Sequence, residues 1–541
     1  MKKIGLIAVL SVMVCSAWAV PARRGGIVKT QPDGSQITVY QHGDEHFRWM
    51  TNEKGEWLKV DEDGFYQVTE ALSAEQIEAK RMAAPSRLAQ AQKAATPLNI
   101  APRGLVILVN FTDVAFTTDK AELDSMLLGK NYTRDYSYTY NLRNYHITSE
   151  GSAREYFYDS SNGHYDPQFD VIGPVTVSKN MAYYGKNIYD FDAAPWTMVK
   201  EACQLVDDSV DFKQYDNNND GYVDFVYVIY AGYGEADGGS ANTIWPHSYW
   251  LLDAGITCKV DGKYVDLYAC GNELDYFSKQ HTGIGTFCHE FSHVLGLPDL
   301  YTTEGQTHKT LGSWDILDYG PYNNDGNTPP AYSAYERFMM GWLTPRLIVD
   351  AENVELAELK ESNSALLISS SDQHNLIGND PKPTTFYLLE NRQQVGWDEY
   401  LPGHGLMLTK VQYSSNSWLQ NTVNNSSNRM GVDLIEADGK KPSSGSNGYA
   451  GKAGDLFPAG ATEYLGITDH SIEEISEKDG VIYFKYKGGV ATSSTEQVLQ
   501  QATIIAIYNI LGQKQTTTDI ESLPRGTYVL VTTAGNKKIV H

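Results

Sequence analysis

Residues 286–299 read TFCHEFSHVLGLPD, and the rest of the chain is best read outward from them. His289 and His293 stand four apart, so on a helix they share one face and can hold one metal ion. Glu290 then lies beside that ion, close to its bound water, in the place of a general base. Gly296 is a natural left-handed stop for the helix, after which Leu297 and Pro298 reverse the chain and deliver Asp299. Asp299 is the expected third ligand, leaving the fourth position of a zinc ion open for water, as catalytic zinc requires. The plainer alternative is a helix with two ordinary histidines and a surface acid. HExxH with the glycine and the aspartate both in place arises by chance in roughly one chain in ten thousand of this length. The metal reading is therefore preferred.

Upstream, DNNNDGYVD at 216–224 is a second chemical signature. Asp216, Asn218 and Asp220 alternate, Gly221 permits a sharp turn, Val223 can offer its carbonyl and Asp224 adds a carboxylate, as in the first part of an EF-hand loop. Tyr227 occupies the twelfth position, where a bidentate glutamate would close such a loop. The expectation is a weak structural calcium site; the alternative is an Asx-rich turn before a strand. That strand, YVDFVYVIY, is followed by a hairpin around Asp261-Gly262 and then by KYVDLYAC, expected to be the edge that pairs with an extended substrate. His247 and His281 lack ligand spacing and read as core or solvent histidines. The apolar run RGLVILVNF at 103–111 reads as a buried strand, with helical patterns near Lys120–Leu128 and Ala193–Val206.

The chain is 541 residues long with 41% hydrophobic content, enough for three or four domains. A net charge of −24 argues against nucleic-acid or anionic-membrane partners. Residues 1–19 read as a signal peptide: Lys2 and Lys3, an apolar run from Ile4 to Val14, and Ala17-Trp18-Ala19 as cut site. The run is too short to span a membrane, and no later stretch has transmembrane length. Cys203, Cys258, Cys270 and Cys288 allow two disulfides in any of three pairings, or four buried thiols.

Residues 20–97 read as a small separate domain. ITVYQ, HFRWMT, EWLKV and FYQV form an alternating meander with turns at Asn52–Gly55 and Asp61–Gly64. Ser73 and Gln76 are set as a capping box. A linker follows at about 83–97, with Arg87, Lys93 and Arg103 open to tryptic-type cleavage. Standing between a signal peptide and a metal site, the meander reads as an inhibitory propeptide. It holds no cysteine, so the block would be carboxylate or steric. The alternative is a constitutive N-terminal module.

The stretch from about 103 to 345 resembles the immune inhibitor A family of secreted bacterial zinc metallopeptidases. YDNNNDGYVDFVYV, IWPH, HEFSHVLGLPDLY, GSWDILDYG and PPAYSAYERFMMGWL fall in that family's order. The resemblance implies a metzincin-like zincin catalytic domain over 98–345, with His289, His293 and Asp299 on zinc and Glu290 as base. Such enzymes carry a methionine turn under the metal, sometimes with a tyrosine two residues later. Here Leu317 replaces the methionine, and Tyr319 stands in the tyrosine position as a candidate for metal contact or oxyanion donation. Residues 346–490 show strand-like runs (SALLISS, TTFYLLEN, GLMLTKV, VIYFKY) that predict a β-sandwich, in which Glu390, Arg392 and Asp398 form a structural polar network. YLLENRQQVGWDEYLPGHGLML and AGDLFP resemble the segment that follows the catalytic domain in the same family. Residues 491–541 are a linker and a small Ig-like β unit. IIAIYNILGQK, LPRGTYVLV and GNKKIVH in it resemble the C-terminal sorting domain of type IX secretion cargo, which implies secretion machinery as a partner and a secreted or surface-attached location.

The expected fold is thus a multidomain α+β chain. The expected function is a zinc endopeptidase acting on protein or peptide substrates, against the alternative of a non-catalytic surface binding protein on a protease scaffold. An intact HExxH argues against the latter, and no GxSxG occurs to suggest a serine hydrolase.

Overall fold

The computed structural model describes residues 20–540 apart from 24, 45–46, 62, 74–75, 77–101, 189–190, 304–307, 441–450, 490–503, 510–512, 516–526 and 533–534. The expected signal peptide, the linker at 83–97 and the start of the C-terminal unit lie outside the described residues. Helices and sheets are mixed along the chain, as an α+β reading requires. No helix among the described residues is long and apolar enough to cross a membrane.

The apolar run at 103–111 becomes the strand Arg103–Asn110 in the interior of a five-stranded sheet. Leu105 to Val109 are all fully buried, the pattern of a parallel strand covered on both faces. Its side chains divide by alternation. Leu105, Ile107 and Val109 pack with Met198, Val199 and Ala202 of the helix Pro195–Val206. Val106 and Leu108 pack with Phe287, Cys288 and Phe291 of the helix Gly285–Val294. The HExxH helix is therefore held against the sheet by its aromatic face, while its histidines point elsewhere.

The strand order is His247–Trp250, Leu267–Leu274, Val226–Tyr233, Arg103–Asn110, Gln168–Thr176. All neighbours are parallel except the first pair. This corrects one expectation. The end of KYVDLYAC, Leu267–Cys270, is not an edge, because HSYW at 247–250 pairs antiparallel along its outer side. Its first residues form a separate small sheet with Cys258–Val260 and Tyr222–Val223.

The four cysteines are buried free thiols. His247 lies in the core with ring nitrogens on the Trp245 carbonyl (2.7 Å) and the Tyr268 hydroxyl (2.8 Å). His281 bonds the Thr282 carbonyl through Nδ1. Neither is near the metal-ligand spacing, as expected.

Five strands from Ile27–Thr30 to Tyr66–Val68 form an antiparallel meander. Its turns close at Gly55 and Gly64, both at positive φ, and Ser73 and Gln76 exchange the two bonds of a capping box. Arg103 is not an open linker residue. It starts the buried strand, and its side chain is held by Asp170 and Gln214. Beyond 345, a five-stranded and a three-stranded sheet share one core, in which Leu366, Leu389 and Leu408 meet Ile472, Ile482 and Phe484. The opposite face of the larger sheet, through Leu367, Leu388 and Met407, joins the core under the HExxH helix. Arg392 pairs with Asp398 at 2.6 Å, and Glu390 accepts from the Ala334 N–H at 2.8 Å, so this network is structural. The strands Ile504–Asn509, Thr527–Thr532 and Gly535–Val540 form a last antiparallel sheet.

Candidate active site and metal centre

The helix Gly285–Val294 starts against the turn 320–326 so tightly that a Cβ on Gly285 would lie 1.9 Å from the Pro321 carbonyl oxygen. It ends as the sequence suggests. Gly296 has φ +92°, its N–H reaches the His293 carbonyl at 2.9 Å, and the Leu297 N–H reaches the Ser292 carbonyl at 3.1 Å. That double bond is a Schellman stop, and the reversal carries Asp299 back to the histidine face.

His289 Nε2 and His293 Nε2 lie 3.1 Å apart, and each lies 3.3 Å from Asp299 Oδ1. A tetrahedral zinc with bonds of about 2.0–2.1 Å separates its ligand atoms by about 3.3–3.4 Å, so the triangle has the size such an ion requires. All three residues are at most 1% exposed. Among the described residues they are the one group of three or more histidine, cysteine or acidic side chains that converges in this way. The other ring nitrogens are already engaged. His289 Nδ1 bonds the Ile316 carbonyl at 2.7 Å, and His293 Nδ1 bonds the Leu297 carbonyl at 2.8 Å. Each Nδ1 therefore carries the proton, and each Nε2 turns its lone pair inward. Burial lowers the pKa of His293, which keeps the ring neutral. Asp299 Oδ1 has no hydrogen-bond donor. Two neutral imidazoles and one bare carboxylate oxygen suit zinc.

The supporting groups come from far along the chain. Asn421 donates from Nδ2 to Asp299 Oδ2 at 2.6 Å and accepts the Asp299 N–H at 2.7 Å. Asn425 and Asn424 bond Thr303 and Leu300 just beyond. Sequence reading missed this clamp, whose only signal was the asparagine-rich run NTVNNSSN at 421–428. Leu317 is fully buried below the site, and its carbonyl accepts from the Leu300 N–H, joining the turn under His289 to the turn carrying Asp299. Tyr319 is half-buried at the head of the turn 320–326.

Glu290 is fully buried, and its Oε1 accepts the backbone N–H of Val20 at 2.9 Å. Residues 20–23 thus lie in the cleft. Trp245 Nε1 donates to the Val20 carbonyl at 2.9 Å, and the Tyr322 hydroxyl donates to the Pro21 carbonyl at 2.7 Å.

The 216–224 loop gives the calcium expectation no support. The Lys263 ammonium bonds Asp216, which also accepts the N–H groups of Asp220 and Gly221. Asn218 accepts from the Asp220 N–H and donates to Asp224, whose other oxygen is taken by Asn217. The side chains saturate one another and a lysine, as an Asx-rich turn does.

Residues 99–343 match the family model described as Immune inhibitor A peptidase M6, catalytic domain. Pre-pro-metalloprotease PrtV of Vibrio cholerae serotype O1 is 28% identical over 239 residues, covering 39% of this chain and 26% of that protein. Immune inhibitor A of Bacillus thuringiensis subsp. alesti is 27% identical over 214 residues, covering 33% of this chain and 30% of that protein. The chain spans less than a third of the length of either relative.

Proposed function

We propose, from the peptidase M6 match of residues 99–343 and the site it contains, that this chain is a secreted zinc-dependent endopeptidase. The carrying observation is the convergence of His289, His293 and Asp299, with Glu290 beside them on the same helix. Zinc held there would polarise the scissile carbonyl and bring the pKa of a water toward neutrality. Glu290 takes the proton of that water and returns it to the leaving amine. The Val20 contact supports this role, because a backbone nitrogen reaches that carboxylate at hydrogen-bond distance. Tyr319 donates a hydrogen bond to the developing oxyanion.

Residues 20–97 act as an inhibitory propeptide. Val20 occupies Glu290, and Arg48 ties the meander to the rim through Asp192 (2.8 Å) and Glu235 (3.1 Å). The block is steric and does not need a cysteine. Export follows from the signal-peptide pattern of residues 1–19 and the resemblance of residues 491–541 to type IX sorting domains.

The test is casein hydrolysis by the full-length chain after tryptic-type cleavage between residues 83 and 97, with and without a zinc chelator, against Glu290→Gln. The variant should keep its zinc and lose about a hundredfold to ten-thousandfold in turnover. Hydrolysis at the parent rate by Glu290→Gln would reject the mechanism.

A further inference from the structure

Beside Glu290 the cleft holds an acid-lined pocket that the proposed chemistry does not use, and Arg23 reveals its shape. The Arg23 N–H donates to the Ala236 carbonyl at 2.7 Å, continuing the line of bonds made by Val20 and Pro21. Its guanidinium bonds Asp275 through Nη1 and Asp325 Oδ1 through Nη2, the latter at 2.8 Å, and lies 4.4 Å from the centroid of the Phe277 ring. Asp275 is fixed from behind, since its Oδ1 accepts from the Phe277 N–H at 3.1 Å and from the Ser278 N–H and hydroxyl at 2.6 and 2.8 Å. Asp325 accepts from the Tyr138 hydroxyl.

Asp237 follows Ala236, whose carbonyl takes the Arg23 N–H. It is 8% exposed, and its Oδ1 has no hydrogen-bond partner. Its other oxygen takes one bond from Asn272 at 3.3 Å. The three carboxylates do not converge as the zinc trio does. The spread of Asp275 and Asp325 suits a planar cation with several donors and an aromatic face to lie on.

The position along a substrate follows from Glu290. That carboxylate hands a proton to the leaving amine, and the Val20 nitrogen stands where such an amine would stand. Val20 thus occupies the place of the first residue after the cleaved bond, and Arg23 that of the fourth. We propose that Asp275 and Asp325 form a specificity pocket for an arginine, and more weakly a lysine, four residues beyond the bond cleaved. This rests on the peptidase reading above. The chain's own Arg23 fills the pocket until residues 20–23 leave the cleft.

The test uses the full-length chain carrying Arg23→Gln, cleaved between residues 83 and 97, so that the pocket's own occupant is gone. Quenched-fluorescent peptides differ only at the fourth residue after the cleaved bond: Arg, Lys, Gln or Glu. The kcat/KM for Arg should exceed that for Gln by about tenfold or more, with Lys between and Glu lowest, as for a charged hydrogen-bonded partner. Adding Asp275→Asn with Asp325→Asn should bring the Arg-to-Gln ratio to about one. A ratio near one in the starting chain, or a preference that survives the two substitutions, overturns the pocket. If no peptide is cleaved, the peptidase reading has failed on its own account. The pocket is then judged by fluorescence anisotropy of Val-Pro-Ala-Arg-Gly against Val-Pro-Ala-Gln-Gly on the same chain, and equal binding overturns it.

Discussion

Replacing Asn421 with glycine should weaken zinc binding without touching a ligand. Asn421 is fully buried, has φ +52°, and makes two short bonds to Asp299 from 122 residues away. Glycine accepts that backbone conformation, so the loss is confined to the side-chain bonds. Alanine adds a left-handed strain of about 1–2 kcal/mol and serves as the internal comparison. The bond from Nδ2 ends on a carboxylate and contributes about 1.5–3 kcal/mol, the bond accepted from the Asp299 N–H about 0.5–1.5 kcal/mol. Only the part that orients Oδ1 reaches the metal, and loss of such outer partners commonly weakens metal binding about ten- to a hundredfold. Zinc titration of the metal-free chain against a chromogenic chelator should show that drop for Asn421→Gly. Melting of the metal-free variant should fall by about 2–4 °C for each kcal/mol lost. Parent zinc affinity in Asn421→Gly, with or without lowered melting, would refute the reasoning and leave the clamp as loop packing.

Two further outcomes are expected. The uncleaved chain should be less active than the chain cut between residues 83 and 97, since Val20 sits on Glu290; equal activity on one peptide substrate would show that the N-terminal segment does not inhibit. Burial, then the neighbouring Glu336, push the Asp315 carboxyl well above the usual range, so it keeps its proton when folded. Its contribution to stability is full below the ordinary carboxylate pKa and declines as pH rises toward the folded value, at most about 1.4 kcal/mol per pH unit. Asp315→Asn has no proton to lose and can keep the Leu317 N–H bond, so its melting temperature should gain on the parent's from pH 5 to pH 8. Parallel curves would exclude a retained proton there.

Features set within one or two turns of chain were legible in the sequence. The four-residue spacing of His289 and His293, the Schellman stop at Gly296, the capping box at Ser73 and Gln76, and the doubly buried strand Arg103–Asn110 follow from helix period, φ preference and hydrophobic run length. The fold decided the rest. The carbonyls of Ile316 and Leu297 orient the two histidines, and a carbonyl carries no residue identity to read. Asn421 on Asp299, Lys263 on Asp216, and HSYW outside Leu267–Leu274 join segments that pack together without any shared local pattern. The Val20 N–H on Glu290 spans 270 residues. Such pairings are settled by which surfaces the packed sheet and helices bring together, so the sequence determined the HExxH helix by itself, and only the tertiary structure determined what holds its histidines and what lies in its cleft.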